Sequence, residues 1–370
     1  MEAQATSAFP TRRTTIPFGP QHPVLPEPLQ LRLVLEDERV VEALPAIGYC
    51  HRGLEKIAEK KDFLQDVYLV ERICGICSFM HSLNYCLGIE ELMKIEVPTR
   101  ASYLRVIWAE LHRMHSHLLF LGLIADAFGF ENLFMQFWRV RERILEVMEK
   151  TAGARIMLSV CSVGGVRRDI DDGQKAEILR VVDQVERDLE SLLPTMFDDY
   201  TVGQRLRGVG VLPADKAHEL GAVGPTARGS GIAMDHRLSI GYAAYGELGG
   251  VTPVTEATGD CYGRIIVRAR ELHQSADLIR KAVQRLPGGV VSVPVKGNPD
   301  GEVIARMEQP RGELIFYIKG NGTRNLERFR VRTPTFANIA PLLHMLPGCQ
   351  LADVPVIILS IDPCISCTER

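Results

Sequence analysis

Apolar residues recur every three or four positions in three stretches in the middle of the chain. The first begins at Thr99 and runs through Leu104, Ile107, Trp108, Leu111, His115 and Leu118, with no gap longer than four positions from Leu104 onward. An α-helix turns once in 3.6 residues, so this spacing puts apolar side chains on one helix face. Two more amphipathic helices are predicted from Ile178, Val181, Val182, Val185, Leu189 and Leu192, and from Leu272, Ala276, Ile279, Val283 and Leu286, the last ended by Pro287 and Gly288.

Two other segments alternate between apolar and polar residues, as strands do. After a proline-rich entry, Leu31, Leu33 and Leu35 alternate with polar neighbours, and a charged turn at Asp37 leads into an apolar return. This pattern predicts a β-hairpin. A second β element runs through residues 314–319, turns at 320–322, and returns through Phe329.

The chain has no internal repeat, no low-complexity linker and no break in composition. We therefore expect a single domain over residues 1–370, with residues 1–15 as a flexible entry. The fold class predicted is α+β: a helix-rich core of long bundled helices with small peripheral β-hairpins or sheets.

Composition and charge exclude several functional classes. The 43 Lys and Arg residues against 46 Asp and Glu give a net charge of −3 without a basic block, which argues against nucleic acid as a partner. The most apolar stretch, residues 118–130, contains Asp126 and is shorter than the ~20 residues of a spanning helix. No apolar segment follows Arg12 and Arg13, so residues 1–15 do not resemble a secretion signal, and a cytoplasmic location is expected.

Nine cysteines, an odd number, rule out complete disulfide pairing. Four of them form two Cys-x-x-Cys pairs, Cys74 with Cys77 and Cys364 with Cys367. Two intervening residues let both sulfurs of a pair converge on one ion, and Gly75 permits the tight backbone of such a turn. We expect the four thiolates to surround one soft metal site, between the N-terminal and C-terminal motifs.

Other sites that use paired cysteines fit less well. Structural zinc modules usually close short loops, with pairs ~12 to 20 residues apart, whereas nearly the whole chain separates these two. A disulfide or a thioredoxin-like redox pair would explain only one motif, and no βαβ pattern accompanies either. The five remaining cysteines stand singly and are expected to be small buried side chains; they are Cys50, Cys86, Cys161, Cys261 and Cys349.

The two motifs together resemble the paired signatures of nickel-iron hydrogenase large subunits. The first reads Arg-x-Cys-Gly-x-Cys-x-x-x-His and ends at His81; the second reads Asp-Pro-Cys-x-x-Cys-x-x-Arg and begins at Asp362. The chain is most similar to the energy-converting, membrane-associated group, which is related to the quinone-site subunit of respiratory complex I. That subunit lacks the four metal cysteines, so catalysis at a metal is favoured here. Further segments that carry the resemblance are residues 19–23, 51–56, 115–117 and 207–212.

The resemblance implies a nickel-iron centre whose iron carries carbon monoxide and two cyanide ligands. Cys74 and Cys364 would bind nickel terminally, and Cys77 and Cys367 would bridge the two metals. Two segments would face the cyanides, Pro310 with Arg311 and Pro334 with Thr335. Arg311 and Asp362 would form a charged canopy over the open site, which is incomplete because Ser116 stands where other hydrogenases often have an acid.

Further site residues follow from the resemblance. Cys364 would take a proton and Glu27 would relay it. His81 would donate to a bridging sulfur. Glu55 corresponds to a ligand of a structural magnesium ion in the family, although the usual histidine of that site is Arg370 here.

The expected function is reversible reduction of protons to dihydrogen, with a ferredoxin-type electron donor. No further cysteine cluster could hold an iron–sulfur centre, so a small subunit with such a cluster is expected, together with ferredoxin-like subunits, membrane subunits and maturation proteins. The sequence ends three residues after Cys367, where the family's maturation protease cuts; it is either a processed form or encoded without an extension. We expect a peripheral position on the cytoplasmic membrane face. Two alternatives are a metal-free complex I-like quinone-site or structural subunit and a zinc-stabilised interaction module.

Overall fold

Long helices pack side by side in the centre of the computed structural model, which describes residues 13–370. The three predicted helices are confirmed and lie within α4, α6 and α11. The helices are α1 (Leu54–Ala58), α2 (Asp66–Glu71), α3 (Ser78–Met93), α4 (Thr99–Ala127), α5 (Glu131–Ala152), α6 (Asp172–Phe197), α7 (Tyr200–Leu206), α8 (Ala214–Glu219), α9 (Gly224–Arg228), α10 (His236–Ser239), α11 (Cys261–Gln284), α12 (Pro334–Met345), α13 (Val354–Ser360) and α14 (Ile365–Glu369).

Two three-stranded antiparallel sheets and a short two-stranded ribbon lie beside this bundle. Both predicted hairpins are confirmed, and each gains one strand that the sequence pattern did not indicate: β1 in the first sheet and β6 in the second. The predicted α+β class is therefore confirmed. The strands are β1 (Arg13–Phe18), β2 (Gln30–Glu36), β3 (Arg39–Ala46), β4 (Cys161–Ser162), β5 (Gly165–Val166), β6 (Asp300–Gln309), β7 (Gly312–Asn321) and β8 (Arg328–Arg332).

Helix α4 is the central element, because α5, α11 and α13 pack against it from different sides. It is buried around nearly its whole circumference rather than on one face, so its amphipathic description is wrong. The charged residues that it buries are paired: Arg105, for example, donates to Glu90 of α3 at 2.8 Å. Such pairing offsets the cost of removing these charges from water.

A two-residue turn, Pro310 and Arg311, joins β6 to β7, since Gln309 pairs directly with Gly312. This turn packs against the start of α9. A Cβ added to Gly224 would lie 2.4 Å from the carbonyl oxygen of Arg311, so only glycine permits the contact, and its φ of 63° also favours glycine. The tip of the hairpin is thereby fixed beside the C-terminal cysteine motif.

Within residues 13–370, no helix combines the length and the apolar character needed to cross a membrane. Of the predicted flexible entry, Arg13, Thr14 and Thr15 belong to strand β1, paired with β2. The remainder of that prediction, residues 1–12, lies outside the described residues.

Candidate metal centre

The two cysteine motifs meet in the interior although 290 residues separate them. The Sγ atoms of Cys74 and Cys364 lie 3.3 Å apart, and those of Cys77 and Cys367 lie 3.5 Å apart. All four side chains are at most 1% exposed. The predicted convergence of the two motifs is therefore present, and the sulfurs are close enough to share a metal centre.

The backbone around each motif holds the sulfurs in place. The amide groups of Ile76 and Cys77 donate to Cys74 Sγ at 3.2 and 3.3 Å as the loop enters α3. At the other motif, the amide of Cys364 donates to Thr335 Oγ1 at 3.1 Å, just before α14 begins. Cys77 thus stands at the N-terminus of α3 and Cys364 at that of α14, where the partial positive charge of a helix end favours thiolates.

The four thiols cannot all ionise by themselves. Burial opposes ionisation, but hydrogen bonds from the other three thiols and the charge of Arg311 hold the pKa of Cys74 well below its ordinary value. Burial, and then ionised Cys74, raises the pKa of Cys77; burial and the neighbouring thiols raise that of Cys367. Although a hydrogen bond with Cys367 lowers it, the pKa of Cys364 is raised by Cys74 and by burial. Four buried thiolates would need the charge of metal ions, so the donor set fits a soft transition metal.

His81 lies beside the two cysteines predicted to bridge metals. Its Nε2 is 3.5 Å from the Sγ atoms of both Cys77 and Cys367. Burial lowers the pKa of His81 to about 4, so the ring is neutral at physiological pH. A neutral ring that carries its proton on Nε2 can donate to either sulfur, as predicted for this residue.

Arg311 and Asp362 form the pair predicted to cover the site. The Nε of Arg311 donates to the carbonyl oxygen of Asp362 at 2.7 Å, and its Nη2 donates to Oδ1 at 2.8 Å. Within residues 13–370, Arg311 Nη1 and Asp362 Oδ2 have no hydrogen-bond partner. Asp362 adopts a left-handed φ of 56° immediately before the second motif. A buried cation thus lies next to the thiols with one N–H left to interact with a ligand.

The other residues predicted to face the diatomic ligands are buried in the same region. Pro310 is the first residue of the β6–β7 turn, and Pro334 begins α12. Thr335 already uses its Oγ1 to accept from the amide of Cys364, so it also positions a predicted metal ligand. Ser116 is buried in α4, and its hydroxyl has no partner among the described residues.

Glu27, the predicted proton relay, contacts the C-terminal motif. It is half-buried in the loop between β1 and β2, and its Oε2 accepts from the amide of Ser366 at 2.9 Å. Its other oxygen accepts from the hydroxyl of the same serine. Because Ser366 lies between Cys364 and Cys367, this carboxylate is held at the edge of the sulfur cluster.

Comparison with known proteins agrees with this geometry. A family model for the 49-kDa subunit of respiratory-chain NADH dehydrogenase matches residues 128–296 and 294–370, more than half of the chain. A model for nickel-dependent hydrogenases matches residues 52–125. The alpha subunit of membrane-bound hydrogenase from Pyrococcus furiosus is 43% identical over 96% of this chain and 87% of its own length. The chain belongs to this family of hydrogenase and NADH dehydrogenase subunits.

Both branches of the family are among its similar relatives. The carbon monoxide-induced hydrogenase of Rhodospirillum rubrum is 39% identical over 96% of this chain and 99% of the relative. A subunit of the NADH-quinone oxidoreductase of Herpetosiphon aurantiacus is 34% identical over 95% of this chain and 97% of the relative. A chain of the membrane-bound sulfane sulfur reductase, an archaeal respiratory membrane complex, superposes with a TM-score of 0.92 at 30% identity, covering 96% of this chain and 98% of that one.

Glu55 does not fit the magnesium ion expected from its hydrogenase-like motif. Its Oε1 accepts from Arg370 Nε and from the amide of Val331, both at 2.9 Å, and its Oε2 accepts from Arg330 at 2.5 Å. Two guanidinium groups therefore already neutralise the carboxylate, and a divalent cation would be repelled by them. The sequence showed Arg370 in place of the usual histidine, but it did not show that this arginine would contact Glu55.

Two residues to which the sequence analysis assigned no role, Arg52 and Glu369, connect the C-terminal motif to the N-terminal part of the chain. Arg52 donates to the carbonyls of Arg72 and Ile73 at 2.7 and 2.9 Å, and to that of Ser366 at 3.1 Å. Glu369 accepts from the amide of Gly48 at 2.6 Å. The available signal was their position, Arg52 within residues 51–56 and Glu369 beside the second motif.

A network of buried charges lies behind the canopy and was also not predicted. Arg228 donates to Glu271 at 2.9 Å and to Glu308 at 2.7 Å. Arg237 lies 3.3 Å from Glu110, and all five side chains are at most 2% exposed. Buried ion pairs are costly to break by removing one partner, so Arg228 fixes α9 relative to α11 and β6, and Arg237 fixes α10 relative to α4.

Proposed function

We propose that this chain is the catalytic large subunit of a nickel-iron hydrogenase that interconverts two protons and two electrons with dihydrogen. The observation that carries the proposal is the convergence of four buried cysteine sulfurs, from motifs 290 residues apart, beside a buried arginine. The names of the Pyrococcus furiosus and Rhodospirillum rubrum relatives support hydrogen as the substrate.

In this proposal, Cys74 and Cys364 would hold nickel, and Cys77 and Cys367 would hold both nickel and an iron with carbon monoxide and cyanide ligands. The bound group would supply redox chemistry at which dihydrogen is formed or split. Arg311 contributes a fixed positive charge and a free N–H next to this group. Both favour negative charge that develops on the bound group, and the side chain does not have to move during the reaction.

The protein's own groups would move the proton. The Cys364 sulfur accepts the proton, and Glu27 takes the proton onward. The Glu27 carboxylate is in place for this step because it accepts from the amide of Ser366, which is two positions after Cys364 in the sequence. His81 would hold the bridging sulfurs by donating from Nε2. Electrons would leave to a small subunit with an iron–sulfur cluster and to a ferredoxin-type carrier.

We place the subunit in a membrane-associated complex, on the cytoplasmic face, matured by dedicated proteins that insert the metals. Membrane complexes named among the relatives and the similar solved structure support such partners. The second candidate is a quinone-site subunit, which the 49-kDa family match over residues 128–370 favours. The four buried thiols count against it, because a subunit without metals would have no need to bring them together.

The function is tested by infrared spectroscopy and metal analysis of protein purified from its host. We expect bands from carbon monoxide and cyanide ligands, together with nickel and iron but no stoichiometric magnesium. Zinc without such bands would instead identify a zinc-stabilised module, and absence of any bound metal would favour the quinone-site alternative.

The canopy can be tested separately with Arg311→Lys. We expect nickel content to be kept but turnover to fall by ~10–100-fold, because an ammonium is a single nitrogen without the planar fork by which Arg311 contacts Asp362 through both Nε and Nη2 and still leaves Nη1 free. Hydrogen evolution per nickel is the measurement, and Arg306→Lys, at an exposed position of the same hairpin, is the control. Equal activity of Arg311→Lys and the parent would remove Arg311 from the mechanism.

A further inference from the structure

The peptide unit between Ile76 and Cys77 makes a hydrogen bond at each end. Its N–H, from Cys77, donates to Cys74 Sγ at 3.3 Å. Its carbonyl, from Ile76, lies 3.1 Å from His115 Nε2. A single rigid plane therefore connects a buried histidine of α4 to a predicted terminal nickel ligand.

Arg141 of α5 determines which ring nitrogen of His115 carries the proton. Its Nε lies 3.0 Å from His115 Nδ1. A guanidinium can only donate, so Nδ1 must accept and the proton of a neutral ring must sit on Nε2, where it points at the carbonyl of Ile76. Burial, followed by the neighbouring His112 and Arg141, holds the pKa of His115 well below its ordinary value, which agrees with a neutral ring.

The outer end of this chain of contacts reaches the protein surface. The Arg141 guanidinium lies 5.4 Å from the ring centroid of Trp138, which is 38% exposed. His115 itself is fully buried, and His112 packs edge-on against it at 5.0 Å. Arg141 and His115 therefore connect the partly exposed side of α5 to the Ile76–Cys77 peptide.

Donation to a carbonyl polarises the whole amide and makes its N–H a stronger donor, because hydrogen bonds in series reinforce one another. A stronger N–H···S bond withdraws electron density from the thiolate. Hydrogen bonds to sulfur are among the factors that set the reduction potential of sulfur-ligated metal sites.

We propose that Arg141 and His115 form a positioning pair that orients the Ile76–Cys77 peptide and, through it, tunes the donor strength of the Cys74 sulfur. The pair belongs to no part of the mechanism above. Its effect on a metal rests on the proposed function, whereas the fixed tautomer of His115 does not.

The tautomer is tested by nitrogen NMR of the full chain labelled with ¹⁵N in its histidine rings, with His115→Gln used to assign the signal. In the parent we expect an Nε2–H ring with an unprotonated, hydrogen-bonded Nδ1. Arg141→Met should shift the Nδ1 signal toward that of a free nitrogen, whereas Arg139→Met, at an exposed position of the same helix, should not. A parent ring protonated on Nδ1 would overturn the proposal.

The tuning is tested on the purified complex by redox titration of the infrared bands. Weakening the N–H···S bond makes Cys74 a stronger donor, so Arg141→Met should shift the midpoint potential to a more negative value, and Arg141→Lys should restore part of the shift. In a His115→Gln background, Arg141→Met should add nothing. Unchanged potentials in Arg141→Met would overturn the tuning, whereas a parent without any such bands would refute the proposed function and leave the NMR test to decide the pair.

Discussion

Replacing Cys367 with serine is expected to abolish nickel retention. In the proposed centre this sulfur bridges two metals, and it lies 3.5 Å from Cys77 Sγ and from His81 Nε2. A serine hydroxyl is a hard ligand that stays protonated at neutral pH, so it cannot hold two soft metals together. Nickel per chain, measured by mass spectrometry of the purified protein, should fall to background, and hydrogen evolution should be lost with it.

Cys349→Ser is the matched control, because Cys349 is a single, partly buried cysteine that is not part of the sulfur cluster. This variant should keep nickel at the parental level. Both variants should be compared by thermal unfolding, to separate metal loss from misfolding. Near-normal nickel in a folded Cys367→Ser variant would show that this residue is not a bridging ligand and that the metal assignment is wrong.

Replacing Glu27 with glutamine should leave nickel in place but remove most hydrogen/deuterium exchange and hydrogen evolution. Glutamine preserves the size of the side chain, and its oxygen can still accept from the Ser366 amide, as Oε2 of Glu27 does at 2.9 Å. It cannot bind and release a proton. A positioned proton-transfer group contributes ~10²–10⁴-fold, so a loss of at least ~100-fold is expected.

The measurement is exchange between deuterium gas and water per nickel, with Glu38→Gln, an exposed residue of the β2–β3 turn, as the control. Exchange at the parental rate in a fully metallated Glu27→Gln variant would rule out Glu27 as the obligatory first relay. The search would then turn to His22, stacked on Phe18, and His51, whose Nδ1 is 2.7 Å from the carbonyl oxygen of Glu369.

The sequence predicted elements whose pattern reflects one buried face. Helix α6 shows it clearly, because its side opposite the buried residues faces solvent. Helix α3 was not predicted, since it is buried on nearly all sides and its apolar residues have no polar face to contrast with. Helix α5 was missed although Leu133, Phe137 and Val140 are spaced for a buried face. In strand β6, exposed and buried residues alternate only in the middle, from Glu302 to Met307; the residues before this stretch are exposed and those after it are buried.

In the candidate site, too, the sequence identified some residues and not others. The cysteines could be found because chemistry fixes both residue type and spacing. The contacts of Arg141, Arg52 and Arg370 could not, since each depends on where a long side chain turns after the fold has formed. Local spacing carries no information about where such a side chain turns, so the two arginines that bind Glu55 could not be predicted from it.

The offset of 290 positions between Cys74 and Cys364 also determines when each cysteine pair is synthesised. At about 5–20 residues per second, the second pair emerges from the ribosome roughly 15–60 s after the first. During that interval Cys74 and Cys77 form an open two-sulfur chelator. Copper and zinc bind such ligands readily, so the first pair can bind one of these metals before the second pair is available. Shielding of the first pair in nascent chains would therefore determine how much of the protein becomes active, independently of how tightly the finished site holds its metals.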